Sequence, residues 1–129
     1  MAGGNRLALG SSFFEPTVIG DVSRDALLSR EETFGPVAAL FRFSEEAEVM
    51  NAANDTELGL AAYVFTRDIG RAWRMAESIE TGMVGINVGF MANEAVPFGG
   101  IKESGIGREG AHDGLEEYLE SKYICMGGV

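Results

Sequence analysis

Apolar residues fall into short runs separated by polar and glycine-rich stretches. Phe13-Phe14-Glu15-Pro16-Thr17-Val18-Ile19 reads as an extended segment, with Pro16 placing it at a strand start or a sheet edge. Residues 25–30 have the pattern of one or two short helical turns. Gly35-Pro36 breaks the chain, and Val37-Ala38-Ala39-Leu40-Phe41-Arg42-Phe43 follows as a compact apolar run, the pattern of a buried strand. Ser44 is a suitable N-cap, and Glu45 and Glu46 suit a first helical turn. That helix carries Ala47, Met50, Asn51 and Asn54, and Asn54-Asp55-Thr56 ends it. Leu60-Ala61-Ala62-Tyr63-Val64-Phe65 reads as another strand. Asp68 can cap a helix in which Ile69, Ala72, Trp73, Ala76 and Ile79 form one apolar stripe at helical spacing. Gly82 stands where a left-handed C-cap belongs, and Met83-Val84-Gly85-Ile86-Asn87-Val88 follows as a core strand.

From residue 89 to 107 the periodicity is lost, and Pro97-Phe98-Gly99-Gly100 lies in a long loop. Loops of that length inside a compact domain are usually functional. A short helix is expected over residues 110–119, with Leu115, Tyr118 and Leu119 as its apolar points. The chain ends in Lys122-Tyr123-Ile124-Cys125-Met126, an extended apolar tail. The alternation of strand and helix predicts parallel pairing with crossover helices, an α/β domain.

At 129 residues the chain can bury one core and has no room for two full domains and a linker. Glycine, 18 residues of 129, is about twice as frequent as usual, which points to tight turns or closely approaching backbone. Ten basic against twenty acidic residues leave a net charge of −10, which disfavours nucleic acid and anionic membrane surfaces as partners. No apolar run reaches transmembrane length, and Met1-Ala2-Gly3-Gly4-Asn5-Arg6 lacks a secretory core. A single cysteine, Cys125, excludes an internal disulfide and a cysteine-based zinc cluster. These features fit a reducing cytoplasm.

Candidate chemistry is sparse. Gly105-Ile106-Gly107-Arg108-Glu109-Gly110 matches the dinucleotide fingerprint by letter, but no strand precedes it and Glu109 would repel phosphate. It reads better as a glycine-rich turn feeding a surface helix. Cys125 sits in an apolar tail, away from the sole histidine, His112, so burial describes it better than nucleophilic catalysis. His112 has no second histidine or neighbouring cysteine with which to hold a metal, so no metal site is expected. Glu31-Glu32-Thr33-Phe34-Gly35-Pro36 is more informative. In an extended stretch Glu32 and Phe34 point the same way. A carboxylate there can accept from two ribose hydroxyls while the aromatic face packs on a flat ring. The alternative is a core phenylalanine beside a solvent-facing glutamate.

Glu32-Thr33-Phe34-Gly35-Pro36 resembles the Glu-x-Phe-Gly-Pro motif of the NAD(P)-dependent aldehyde dehydrogenase superfamily. Asn54-Asp55-Thr56-Glu57-Leu58-Gly59-Leu60-Ala61-Ala62 is similar to its Asn-x-Thr-x-x-Gly-Leu-Ala segment, and Gly82-Met83-Val84-Gly85-Ile86-Asn87 to its Gly-x-Val-x-x-Asn strand. Pro97-Phe98-Gly99-Gly100-Ile101-Lys102-Glu103-Ser104-Gly105-Ile106-Gly107-Arg108-Glu109 resembles its C-terminal signature. The motifs stand in the family's order over nearly the whole chain. The opening, from Ala8-Leu9-Gly10 to Phe13-Phe14-Glu15-Pro16-Thr17, and the end, Glu116-Glu117-Tyr118-Leu119-Glu120-Ser121-Lys122-Tyr123-Ile124-Cys125, resemble the succinate- and glutarate-semialdehyde branch.

The resemblance implies the later half of the family's catalytic domain over residues 1–116, a three-layer α/β arrangement on a mostly parallel sheet. Residues 117–129 would be a C-terminal oligomerisation strand, giving a homo-oligomer. It implies that the nucleophilic cysteine, the general-base glutamate and the cofactor-holding βαβ unit lie upstream, with Met1 standing where the family has interior sequence. The isolated chain is then expected to be inactive. In the family a thiolate adds to the aldehyde to give a thiohemiacetal, hydride passes to NAD or NADP, and water releases the acid. By resemblance Glu32 binds the nicotinamide-side ribose and Phe34 packs near the nicotinamide. Phe98 lines the substrate tunnel, and residues 90–96, with Phe90 and Ala92, form its selecting wall. Ala92, five residues before Pro97, stands where the semialdehyde branch often carries a serine that helps hold the substrate carboxylate. A different class of reading is a non-catalytic interaction module, which the sequence upstream of Met1 would distinguish.

Overall fold

β-Branched residues begin the first ladder. Thr17–Ile19 (β1) pairs in parallel with Val37–Ala39 (β2), Thr17 opposite Val37 and Ile19 opposite Ala39. The structure is a computed structural model that describes residues 1–128, in two compact units, Met1–Val49 and Met50–Val129. In the first unit Thr17 is buried, and its hydroxyl donates to the Glu15 carbonyl at 2.8 Å, so its burial leaves no orphan. Residues 25–30 supply a single 3₁₀ turn, Leu27–Ser29.

The buried strand expected over residues 37–43 is a three-residue strand. The Leu40 amide still donates to the Ile19 carbonyl at 2.8 Å, but Leu40, Phe41 and Phe43 are exposed. An apolar run dictates burial only where a second layer covers it, and among the described residues of this unit none covers these three side chains.

Glu46–Asn54 (α1) ends where Asn54 was expected to end it. Its start is tied by Ser44 and Glu48. Ser44 donates its backbone N–H and its hydroxyl to the Glu48 carboxylate, at 3.1 and 3.3 Å. Glu48 also pairs with Arg24 at 2.8 Å, and the Ser44 N–H above all holds its carboxyl below the usual range.

The second unit contains Leu58–Gly59 (β3), Ala61–Val64 (β4), Ile69–Ser78 (α2), Met83–Ile86 (β5), Ile101–Lys102 (β6) and Asp113–Glu116 (α3). β4 and β5 pair in parallel with α2 as the crossover, as the alternation predicts. β3 pairs with β6 antiparallel, a strand inside the stretch expected to be loop. The expected mostly parallel sheet is therefore resolved here as three two-stranded ladders, two parallel and one antiparallel. The strands are two to four residues long, too short for continuous wide pairing.

Asp68 caps α2 by accepting from the Arg71 amide at 3.0 Å. Val64, Ala72 and Met75 form the buried core, with Ala76 and Ile79 half-buried beside them. Ile69 and Trp73 of the expected stripe are exposed. Trp73 lies one residue, about 100°, around the helix from Ala72 and off the face that meets the sheet.

Gly82 is not a left-handed C-cap. Helix α2 ends at Ile79 in an extended conformation, and Gly82 has no positive φ. Its amide donates to the Gly59 carbonyl at 2.9 Å, and its Cα faces Gly99 so closely that a Cβ would overlap the Gly99 carbonyl oxygen. The helix expected over residues 110–119 is the four-residue α3. No strand forms beyond α3 among the described residues, and Cys125 is exposed, contrary to the burial expected of it. The tail has nothing packed over it, so its apolar sequence does not translate into burial.

Candidate functional site

In the first unit, the loop carrying Glu32 and Phe34 runs from the 3₁₀ turn to β2. Its ends are tied: the Glu31 amide donates to the Leu27 carbonyl at 2.8 Å, and the Pro36 carbonyl accepts from the Thr17 amide at 2.7 Å. Between them the Gly35 amide donates back to the Thr33 carbonyl and the Val37 amide to the Gly35 carbonyl, both at 2.8 Å. This tight turning keeps residues 32–34 off the β1–β2 ladder. Phe34 is 94% exposed and Glu32 is exposed beside it. The alternative of a core phenylalanine is thereby removed. A large aromatic is thus held almost wholly in solvent, two residues from an exposed carboxylate.

In the second unit, β5 ends at Ile86, and Asn87, with a φ of 54°, turns the chain out of the sheet. The turn is held by the Asn87 side chain, which accepts from the Thr66 amide at 2.9 Å and donates to the Thr66 carbonyl at 2.8 Å. The chain then enters the stretch bearing Phe90, 76% exposed, and Ala92, also exposed. Asn93 starts the next turn by accepting from the Ala95 amide at 2.8 Å. Phe98 follows, 38% exposed, and exchanges backbone hydrogen bonds with Glu109 at 2.8 and 2.7 Å.

Side-chain contacts that hydrophobic periodicity does not signal hold this unit together. Lys102 Nζ pairs with Glu80 at 2.6 Å and donates to the Asn54 and Thr56 carbonyls at 2.9 and 3.1 Å, closing the C-terminal end of α1. The Asn54 side chain donates to the Ser78 carbonyl at 2.8 Å and accepts from the Glu80 amide at 2.9 Å. Ser104 Oγ accepts from the Gly59 amide at 2.9 Å. These partners lie 22 to 48 residues apart, so no local pattern signals them. The Gly105–Gly110 run is the turn expected of it: it feeds α3, with Gly105 and Gly110 at positive φ. His112 is exposed at the start of α3, and its side chain makes no capping bond.

The aldehyde dehydrogenase family profile matches residues 1–124. Glutarate-semialdehyde dehydrogenase of Pseudomonas aeruginosa is 57% identical over 129 residues, all of this chain and 27% of that protein. The NADP(+) succinate-semialdehyde dehydrogenase of Escherichia coli is 55% identical over 127 residues, 98% of this chain and 26% of that protein. The crystal structure of succinate-semialdehyde dehydrogenase from Burkholderia pseudomallei superposes with a TM-score of 0.94 at 59% identity, covering 98% of this chain and 26% of that one. The chain spans about a quarter of the length of the curated relatives it matches. Matched along almost its entire length in sequence and in backbone, the chain belongs to the aldehyde dehydrogenase family.

Proposed function

We propose that this chain is part of an enzyme that oxidises a semialdehyde, succinate semialdehyde first, to the carboxylic acid with NAD or NADP. The observation that carries the reading is the exposed Phe34 ring beside the Glu32 carboxylate, in a chain 55–57% identical to semialdehyde dehydrogenases. The donor set fits a nicotinamide nucleoside: a carboxylate accepts from paired ribose hydroxyls, and an open aromatic face packs against a flat ring. When bound, the cofactor accepts the hydride released from the substrate. Glu32 orients the ribose and Phe34 limits the tilt of the ring, so the chain's contribution is positional.

Phe98, Phe90 and Ala92 line the aldehyde side. Ala92 offers a methyl where a hydroxyl would donate to a substrate carboxylate, so recognition of the acid end rests on other residues. The nucleophilic cysteine and the general base belong to sequence outside this chain; Cys125, in the exposed tail, does not substitute for them. The reaction runs through a thiohemiacetal on that external cysteine. Residues 1–116 act as the catalytic part, and the tail of residues 117–129, exposed over residues 117–128, pairs with a second copy. The setting is cytoplasmic; no helix among the described residues is long and apolar enough to cross a membrane.

The test is Glu32→Gln in the full-length enzyme. Turnover falls on the order of ten-fold or more while the Kd for the cofactor changes less, because the adenosine half carries most of the binding. Unchanged turnover removes Glu32 from the ribose site.

A further inference from the structure

The Gly105-Ile106-Gly107-Arg108-Glu109-Gly110 segment takes no part in the cofactor reading above, but the structure gives it close neighbours. The Phe98 and Glu109 backbones exchange hydrogen bonds at 2.8 and 2.7 Å, and the Ala111 amide donates to the Glu94 carbonyl at 3.0 Å. Arg108 Nη1 donates to the carbonyls of Gly100 and Gly107, both at 2.8 Å and partly buried. Residues 94, 98 and 100 are therefore all held from residues 108–111. The two backbones touch directly: a Cβ on Gly99 would stand 2.6 Å from the Gly107 carbonyl oxygen and 2.9 Å from Arg108 Cδ. The Arg108 amide is itself held by the Glu117 carboxylate at 3.4 Å.

We propose that Arg108 is a positioning residue for Phe98, and that the Gly105–Gly110 segment serves as the backing of the aldehyde-side wall. The inference rests on the reading that Phe98 faces the aldehyde. A single pair of backbone hydrogen bonds joins Phe98 to Glu109, and an isolated bridge has no neighbouring rungs to keep its register. Gly99, Gly100, Gly105 and Gly107 contribute no side chains to steady the turn. The guanidinium supplies what they lack. It ties Gly100, two residues after Phe98, to Gly107, two residues before Glu109, and so locks the bridge from its open side. The bonds to neutral carbonyls are charge-assisted and sheltered, which makes them stronger than the amide bonds they support. Without them the Phe98 ring samples a wider range of positions, and the aldehyde binds a less complete wall.

The experiment uses a full-length family enzyme carrying this chain, with Arg108→Met, Arg108→Lys and Phe98→Leu, alone and in combination. Arg108→Met keeps the aliphatic stem and removes the donors. It raises the KM for the aldehyde about ten-fold and leaves the KM for the cofactor within about two-fold. Arg108→Lys, which keeps a charged donor on a long stem, returns the aldehyde KM to within about three-fold of the starting value. Phe98→Leu raises the same KM, and Arg108→Met adds little on top of it, because both act through one ring. A normal aldehyde KM in Arg108→Met beside a raised one in Phe98→Leu overturns the positioning role and leaves the Phe98 reading intact. A normal KM in both overturns the Phe98 reading and the proposal with it. Should Arg108→Met not fold, Arg108→Gln replaces it; a smaller rise in the same KM supports the proposal, and an unchanged KM overturns it.

Discussion

Gly82→Ala is the substitution that most directly tests the packing described here. The new methyl would overlap the Gly99 carbonyl oxygen and lie 2.9 Å from both the Gly99 carbonyl carbon and Gly100 Cα. Those atoms are backbone, and both sides are pinned. The Gly82 amide is bonded to Gly59 at 2.9 Å, and the Gly100 carbonyl accepts from Arg108 at 2.8 Å. Overpacking a tight site costs about 1–3 kcal/mol, and losing the Gly82–Gly59 hydrogen bond adds about 1 kcal/mol. The reduced freedom of the unfolded chain offsets roughly 0.5 kcal/mol. The expected net loss is about 3 kcal/mol, or a fall in Tm of roughly 10 °C for a chain of this size. Urea unfolding followed by circular dichroism measures it. Gly89→Ala is the control, since its Cβ would meet nothing within 4 Å, and it stays within about 0.5 kcal/mol of the parent. If Gly82 acted through a left-handed conformation, Gly82→Asn would be the gentlest replacement; the close approach predicts that it is worse than alanine. A Gly82→Ala chain with the same urea midpoint as Gly89→Ala refutes the reasoning.

Three further outcomes are expected. The Arg71 amide, before other causes, holds the Asp68 carboxyl below its usual range, so its contribution is present above the unfolded pKa near 3.9 and is lost as pH falls through the lower folded value. The gap in urea midpoint between the parent and Asp68→Ala is therefore constant at neutral pH and narrows below about pH 4; a gap that widens on acidification contradicts this. The isolated chain produces no NAD(P)H from succinate semialdehyde, and turnover abolished by Cys125→Ala would show that the chain carries its own nucleophile. Tyr118, Leu119, Tyr123, Ile124 and Met126 are all exposed, so light scattering at high micromolar concentration should detect self-association that disappears when residues 117–129 are removed; a monomeric intact chain, or an oligomer that survives the deletion, argues against a pairing tail.

The sequence by itself determined the elements whose signals are local. Asp68 three residues before a bondable amide, with Ile69, Ala72, Trp73, Ala76 and Ile79 recurring at helical spacing, defines α2, because capping and amphipathic patterning act within a few residues; that Met75 rather than Ile69 and Trp73 is buried was set by the sheet. Parallel pairing of β4 and β5 follows from strand, helix, strand in succession. The family motifs were legible because side-chain identity at fixed spacing is what such motifs record, and the exposure of Phe34 left its packing alternative without support. Tertiary structure decided whatever depends on a distant partner. It placed Gly82 against Gly99 rather than at a cap, paired β3 with β6 across more than forty residues, and sent Lys102 to the end of α1. It also left Leu40, Phe41, Phe43 and Cys125 exposed. Hydrophobicity states that a side chain gains by leaving water; whether another layer is there to receive it is a property of the assembled backbone, and no local window contains it.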